Sequence, residues 1–128
     1  MYVRFVGTRI DSSSGKREGI FHAAGALRRS GALSAADAAR LDGIELWFDE
    51  NLSKPARFAR ARRHHPAPVA ISWFRSEARA HLARIREMQQ ILEAYGCTIE
   101  MIKTARPGYV VYEDDAQVTA RPFNDTPA

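Results

Sequence analysis

The first apolar stretch of the chain has hydrophobic side chains at both odd and even positions. They are Tyr2, Val3, Phe5, Val6 and Ile10. An aromatic and branched stretch that is apolar on both faces predicts a strand from Tyr2 to Ile10, and such a strand can be central in its sheet. The sequence DSSSG of residues 11–15 is typical of a turn, because short polar side chains bind the backbone and glycine accepts a positive φ.

Two helices are predicted next. In residues 19–31, Phe21, Ala24 and Leu27 recur near helical spacing, and Gly31 is suited to end the helix. Ser34 can then cap a second helix, whose apolar residues recur at offsets of three, seven and eleven. These residues are Leu41, Ile44, Phe48 and Leu52, with Trp47 at their border. We expect this face to pack on the core and the acidic residues of the same helix to be solvated.

The longest helical pattern runs from Ile71 to Gly96. Its apolar residues step by three or four, as expected of one helix face. Trp73 and Phe74 are predicted to anchor the start of this helix, and Gly96 is placed to end it in the left-handed conformation. His81 lies inside the pattern and is interpreted as a packed or surface histidine rather than a base.

Three strands are predicted after this helix. Residues 97–101 alternate apolar and polar side chains, which predicts a half-buried strand containing Cys97. Residues 109–112 follow a turn signal, so a hairpin with the preceding strand is expected. The polar turn 113–115 leads into a strand over residues 117–121, and Pro122 marks its end.

The predicted order is one strand, two helices, a basic connection, a long helix and three strands. This order indicates an α+β two-layer sandwich, in which a mainly antiparallel sheet of about four strands packs against two to three helices. The length of 128 residues fits one domain over residues 1–123, with residues 124–128 as a tail. The second face of the sheet would offer part of the first strand and Tyr109 or Tyr112, and a homodimer interface is one use of such a face.

Charge changes this picture at one place, the basic run from Lys54 to His65. It contains five cationic side chains and no acid, whereas the rest of the chain has 14 Lys and Arg against 15 Asp and Glu. The excess positive charge is therefore local. The predicted anion-binding residues are Arg57, Arg60, Arg62, Arg63, His64 and His65.

The basic run can bind an anion in either of two shapes. As a short helix it would bring Arg57, Arg60 and His64 to one side, and as an extended segment it would spread the guanidinium groups along a path. Both suit phosphate, because a guanidinium offers a planar fork of donors. Nucleic acid and an acidic protein surface satisfy the same charges. Alternatively, the arginines pair with the acidic helix before them or only keep the protein soluble.

No catalytic signature accompanies the run. The phosphate-binding glycine loops, the GxSxG nucleophile elbow and the HExxH zinc motif are all missing from the sequence. We therefore predict no cofactor, no metal and no catalytic residue, and the leading interpretation is a non-catalytic binding module. A small metal-dependent phosphodiesterase or nuclease, using Glu113, Asp114 or Asp115 with His64 or His65, is the competing class. A structural homo-oligomer is a third.

The chain has a single cysteine and no long uninterrupted apolar stretch. These features favour a cytoplasmic protein without a membrane partner. The sequence segments AISWF and RPGYVVYEDDAQVTARPF resemble segments of small bacterial proteins of similar length. The resemblance implies a bacterial, cytoplasmic setting and carries no reaction or functional residues with it.

Overall fold

The secondary structure follows from a computed structural model that describes residues 1–12, 14–54 and 70–127. Within these ranges there are six strands and three helices, so the predicted α+β class is confirmed. The strands are β1 (Tyr2–Ile10), β2 (Arg17–Gly19), β3 (Ile71–Arg75), β4 (Glu100–Thr104), β5 (Tyr109–Glu113) and β6 (Gln117–Arg121). The helices are α1 (Ile20–Ser30), α2 (Ala35–Asn51) and α3 (Arg79–Ala94).

All described strand pairs are antiparallel and belong to one sheet. Tyr2 and Val3 of β1 pair with both β3 and β4, so these two strands lie on opposite edges of β1. Val6 likewise pairs with both β2 and β4, which places β2 and β3 on the same edge. Beyond β3, the sheet continues through β6 to β5. The sequence predicted about four strands, and the three-residue strand β2 is one that it missed.

The predicted start of the long helix is wrong, because residues 71–75 form strand β3. Trp73 pairs with Val118 of β6, and Phe74 pairs with Val3 of β1. Trp73 and Phe74 point to opposite faces of the sheet, and both are buried. A short apolar run of this kind suits a doubly covered strand as well as a helix. The helix itself begins only at Arg79, after a turn at residues 76–77.

The predicted hairpin between residues 97–101 and 109–112 is also wrong, because β4 pairs with β1 and β5 pairs with β6. The chain cannot enter β4 directly from α3. Gly96 has a φ of 85°, and Cys97 N donates to Leu92 O over 3.0 Å. This helix-ending arrangement uses the first residues of the predicted strand, so β4 starts at Glu100 and Cys97 lies before it, half-buried.

The main core lies between the helices and one face of the sheet. Each helix contributes buried residues, and the sheet contributes Val3, Phe5 and Phe74. The buried helix residues are Ile20, Ala24 and Leu27 of α1, Leu41, Ile44 and Phe48 of α2, and Ile85, Met88, Ile91 and Leu92 of α3. The apolar face predicted for the second helix is thus buried as expected, apart from the half-buried Leu52.

The opposite face of the sheet carries a smaller cluster of Ile71, Trp73 and Val118. Tyr109 at the edge strand β5 is 66% exposed. Near the C-terminus, Thr126 is buried, and its carbonyl accepts a hydrogen bond from Lys16 Nζ over 2.8 Å. No helix in the described ranges is both long and apolar enough to cross a bilayer.

Candidate functional site at the root of the basic run

All six predicted anion-binding residues lie outside the described residues. They are Arg57, Arg60, Arg62, Arg63, His64 and His65. The structure describes Lys54, the first residue of the run, and the chain on either side of residues 55–69. The residues that lead into the run are described. We call residues 51–54 the root of the run.

The charge balance of the described residues agrees with the prediction that the excess positive charge is local. Residues 55–69 contain four arginines and no acid, so the described part has 15 Lys and Arg for 15 Asp and Glu. Many of these charges form ion pairs with one another. The pairs include Arg17–Glu100, Arg28–Asp42, Arg28–Glu45, Arg75–Glu113 and Arg106–Asp125. The formal net charge of +4 is therefore the charge of Arg57, Arg60, Arg62 and Arg63.

Helix α2 carries the chain to the root. It begins at Ser34, whose side chain accepts a hydrogen bond from Asp37 N, as the sequence predicted. It ends when Leu52 turns to an extended conformation, with φ −138° and ψ 121°, while Leu52 N still donates to Phe48 O. Since Phe48 is buried in the core, the end of α2 is fixed close to the sheet.

His81 of α3 makes the first contact with the root. Its Nε2 lies 2.8 Å from the carbonyl oxygen of Asn51. A carbonyl oxygen can only accept, so Nε2 carries the proton and donates. The His81 ring also packs edge-on against Trp47, with ring centroids 4.9 Å apart. His81 is thus a packed histidine, in agreement with its interpretation from the sequence.

Gln117 of β6 makes the second contact and was missed by the sequence reasoning. Its side chain is buried, with 2% exposure for the residue. Nε2 donates to Ser53 O over 2.7 Å and to Asp114 Oδ2 over 3.2 Å. In the sequence, Gln117 alternates with the apolar Val118 and Ala120, which favours a solvated polar face. No local pattern therefore signals that this amide reaches the root.

Lys54 makes the third contact, an ion pair of 3.0 Å with Asp49 in the last turn of α2. The two side chains are 78% and 57% exposed, so the pair contributes little to stability. Lys54 therefore pairs with the preceding acidic helix, whereas the arginines, for which the sequence left such pairing open, lie outside the described residues.

A cleft of about 540 Å³ opens beside the root. It lies between the end of α2, α3 and the turn that joins β5 to β6. Its lining includes four acids and one histidine, namely Asp49, Glu50, Asp114, Asp115 and His81. The body of the protein thus presents negative charge where the positively charged run departs.

Asp114 is one of the acids proposed for metal-dependent catalysis. Its carboxylate oxygens accept hydrogen bonds from within the β5–β6 turn. Oδ1 accepts from the backbone N–H groups of Ala116 and Gln117 over 2.9 and 3.0 Å, and Oδ2 accepts from Tyr112 OH over 2.7 Å. Burial raises the pKa of Asp114, but these hydrogen bonds stabilise the charged form more, so the pKa lies below its usual value. Asp114 therefore has a clear structural role as the acceptor that closes the β5–β6 turn.

The other acids of this turn do not complete a metal site with it. Glu113 Oε2 pairs with Arg75 Nη2 over 3.0 Å and does not line the cleft. Across the part of the chain that the structure describes, no three His, Cys, Asp or Glu side chains are grouped so that they could hold a metal ion. His64 and His65, the histidines proposed for that site, are outside it.

Comparisons of the chain with protein families, with curated proteins and with solved structures found no match. What the protein binds has therefore to be inferred from its own residues.

Proposed function

We propose that the protein is a non-catalytic binding module that contacts an anionic macromolecule through the basic run. The proposal is carried by one observation, the segregation of charge: the described body has equal numbers of acids and bases, and four arginines outside it account for the net charge of +4. Selection for solubility alone does not require cations to be collected in one short segment.

Nucleic acid is the partner that we favour for the first test. Arginine binds phosphate through two parallel hydrogen bonds and keeps its charge at all physiological pH values. The run contains a single aromatic residue, Phe58, so base stacking would contribute little. Affinity should therefore come from phosphate contacts, with little sequence preference and a steep dependence on salt. An acidic protein surface would be bound through the same charges.

The acidic cleft supports the proposal that the run, and not the adjacent surface of the body, attracts the anionic partner. Carboxylates at Asp49, Glu50, Asp114 and Asp115 repel a polyanion from this side of the body. Attraction must then come from the arginines beyond the root. Removing these arginines should abolish binding, whereas removing an equal charge from the body should not.

The test is fluorescence anisotropy of labelled single-stranded and duplex oligonucleotides at two salt concentrations. Wild type is compared with a variant in which Arg57, Arg60, Arg62 and Arg63 are all replaced by Ala. The matched control replaces four exposed arginines of the body and so removes the same charge. These are Arg9, Arg29, Arg79 and Arg86. Retention of binding in the first variant, or equal loss in both, would contradict the proposal.

The competing phosphodiesterase has less support. The cleft does bring Asp114 and Asp115 together with His81, but the Asp114 carboxylate already accepts the hydrogen bonds that close the β5–β6 turn. For the third class, a homo-oligomer, the exposed Tyr109 and Val110 on edge strand β5 are one exposed apolar surface among the described residues. The homo-oligomer does not explain why the net charge is confined to one segment, whereas a phosphodiesterase could also use these arginines to bind phosphate and has the weaker support because of its carboxylates.

A further inference from the structure

Arg4 and Trp73 are both buried, and each carries a nitrogen donor that has no hydrogen-bond partner among the described residues. Arg4 is 9% exposed and its Nη1 is unpaired, and Trp73 is 1% exposed and its Nε1 is unpaired. A buried donor without an acceptor costs free energy, so each such group in a folded protein calls for an explanation.

The two side chains lie on the same face of the sheet. Val3 pairs with Phe74, and both belong to the main core on the helix side. The next residue on each strand, Arg4 in β1 and Trp73 in β3, therefore points to the other face. On that face Arg4 pairs with Ile102, which packs against the cluster that contains Trp73. Arg4 and Trp73 thus border one small cluster.

Arg4 lies where the edge of β1 passes from one neighbouring strand to another. Val3 pairs with β3, and Val6 pairs with β2 on the same edge. We call the stretch of this edge between the two pairs, at residues 4 and 5, the fork. The guanidinium of Arg4 extends along this edge, since Nη2 donates to Arg17 O of β2. Nη1 is therefore on the side of β1 that carries β3 and Trp73.

The charge at the fork favours an anion. Burial, and secondly the nearby Arg17, lowers the pKa of Arg4 to about 10, and Asp11 opposes this as the weakest of the three influences. Arg4 is therefore still a cation at neutral pH. An anion that accepted a hydrogen bond from Nη1 would offset both the burial of this charge and the unpaired donor.

We propose that the fork is a binding site for a small monovalent anion, chloride or a single carboxylate group, which accepts hydrogen bonds from Arg4 Nη1 and Trp73 Nε1. Both groups can only donate, so both require an acceptor. One negative charge neutralises one guanidinium, whereas a dianion would leave an excess charge in a place that is nearly closed to solvent. The inference does not depend on the proposed function of the basic run.

The test follows the indole N–H of Trp73 by nitrogen–proton correlation NMR. The chain has two tryptophans and so gives two indole signals, and Trp47→Phe identifies the one from Trp73. Wild type in a buffer free of small anions is titrated with sodium chloride, with sodium formate, and with sodium sulfate at matched ionic strength. Chloride or formate should move the Trp73 signal downfield until the shift saturates, because a hydrogen bond deshields the proton. Sulfate should not.

Arg4→Met removes the guanidinium and keeps an unbranched side chain. The matched control is Arg9→Met, which removes an exposed arginine of the same strand. Arg9→Met should keep the saturable shift, and Arg4→Met should lose it. Arg4→Lys keeps the charge but loses the planar fork of donors that can bind Arg17 O and an anion together. Its affinity should therefore fall roughly tenfold or more.

Thermal unfolding gives a second measurement. An anion that binds only the folded protein raises the midpoint temperature, so chloride or formate should raise it for wild type and Arg9→Met and not for Arg4→Met. The inference would be overturned by the absence of a saturable shift in wild type, by the same shift in Arg4→Met, or by an equal response to sulfate, which would indicate a surface effect of charge.

The proposed function fails or holds separately. The variant in which Arg57, Arg60, Arg62 and Arg63 are replaced by Ala should keep the saturable shift of Trp73 while it loses oligonucleotide binding. Arg4→Met should lose the shift and keep oligonucleotide binding. Loss of the shift in the quadruple variant would contradict a site at the fork.

Discussion

The hydroxyl of Tyr95, just after α3, donates to Asp37 Oδ2 in the first turn of α2 over 2.7 Å. The Tyr95 hydroxyl oxygen also accepts a hydrogen bond from Ser34 N over 3.0 Å. One phenol group thus joins the end of one helix to the capping residue of another. The contact thus fixes the beginning of α2, the helix whose other end leads to the root of the basic run.

Tyr95→Phe should lower the free energy of unfolding by about 1–2 kcal/mol, because it removes two hydrogen bonds and keeps the ring. Urea denaturation followed by circular dichroism measures the change. Tyr109→Phe is the control, since Tyr109 is 66% exposed and its ring contact with Phe123 is kept. Equal stability of the two variants would show that the Tyr95 contact has no energetic role.

Acid should destabilise the protein partly through Asp114. Its pKa lies below the usual value when folded, because hydrogen bonds from Tyr112, Ala116 and Gln117 outweigh the opposing effect of burial. The resulting stabilisation is present above the pKa of the unfolded carboxyl, about 3.9, and is lost as the pH falls through the lower folded pKa.

Asp114→Asn should therefore be less stable than wild type at neutral pH and should lose less stability on acidification. Free energies of unfolding from pH 5 down to pH 2 test this expectation. Asp115→Asn alters the neighbouring residue in the same turn and serves as the control. Parallel pH profiles for wild type and Asp114→Asn would contradict the role given to the Asp114 carboxylate.

Arg4 is a buried cation whose Nη1 has no hydrogen-bond partner among the described residues. Burial, and secondly the nearby Arg17, lowers the pKa of Arg4 to about 10. The cost of burying its charge is fully present below that pKa and declines as the pH rises above it. Nη2 donates to Arg17 O, which offsets part of the cost.

Arg4→Met should consequently be neutral or stabilising, by up to about 1–4 kcal/mol, as found when buried charges are replaced by apolar side chains of similar size. Thermal unfolding at pH 7 measures it, and Arg9→Met on the exposed end of β1 is the control. A loss of more than about 1 kcal/mol in Arg4→Met would mean that its bond to Arg17 O outweighs the unpaired charge.

Two glycines that differ only in backbone conformation give a matched pair. A Cβ added at Gly43 or at Gly96 would meet nothing within 4 Å, but Gly43 is inside α2 whereas Gly96 has a φ of 85°. Gly43→Ala should stabilise the protein by about 0.5–1 kcal/mol through helix propensity. Gly96→Ala should destabilise it by about 1–2 kcal/mol, because alanine is strained at positive φ. A change of the same sign in both would refute the backbone explanation.

The sequence predicted elements best where a local signal marked their ends. Gly31 ends α1, and Ser34 caps α2, as expected. Residues 71–75 were assigned to a helix because an apolar run that is buried on both faces has no distinctive period. The partners of β4 were mispredicted because pairing with β1 joins residues about a hundred positions apart, which local turn signals do not report.

For the candidate site, too, the part with a local sequence signal was predicted and the part without one was not. Clustered arginines are visible in any reading of the sequence, so the basic run was found. The root was not, because it depends on contacts of Gln117 and His81 with backbone carbonyls distant in sequence. Carbonyl acceptors carry no sequence signature, and a lone glutamine in a strand gives no hint of its partner.

The most direct test of the central claim is the affinity for a labelled oligonucleotide of the quadruple variant, in which Arg57, Arg60, Arg62 and Arg63 are replaced by Ala. It is measured beside wild type and the matched control that lacks four exposed arginines of the body, which we call the body control. Wild type and the body control should bind in a salt-sensitive manner, and the quadruple variant should not bind. Undiminished binding by the quadruple variant, or no binding by wild type at low salt, would contradict the claim that the basic run is a nucleic-acid contact.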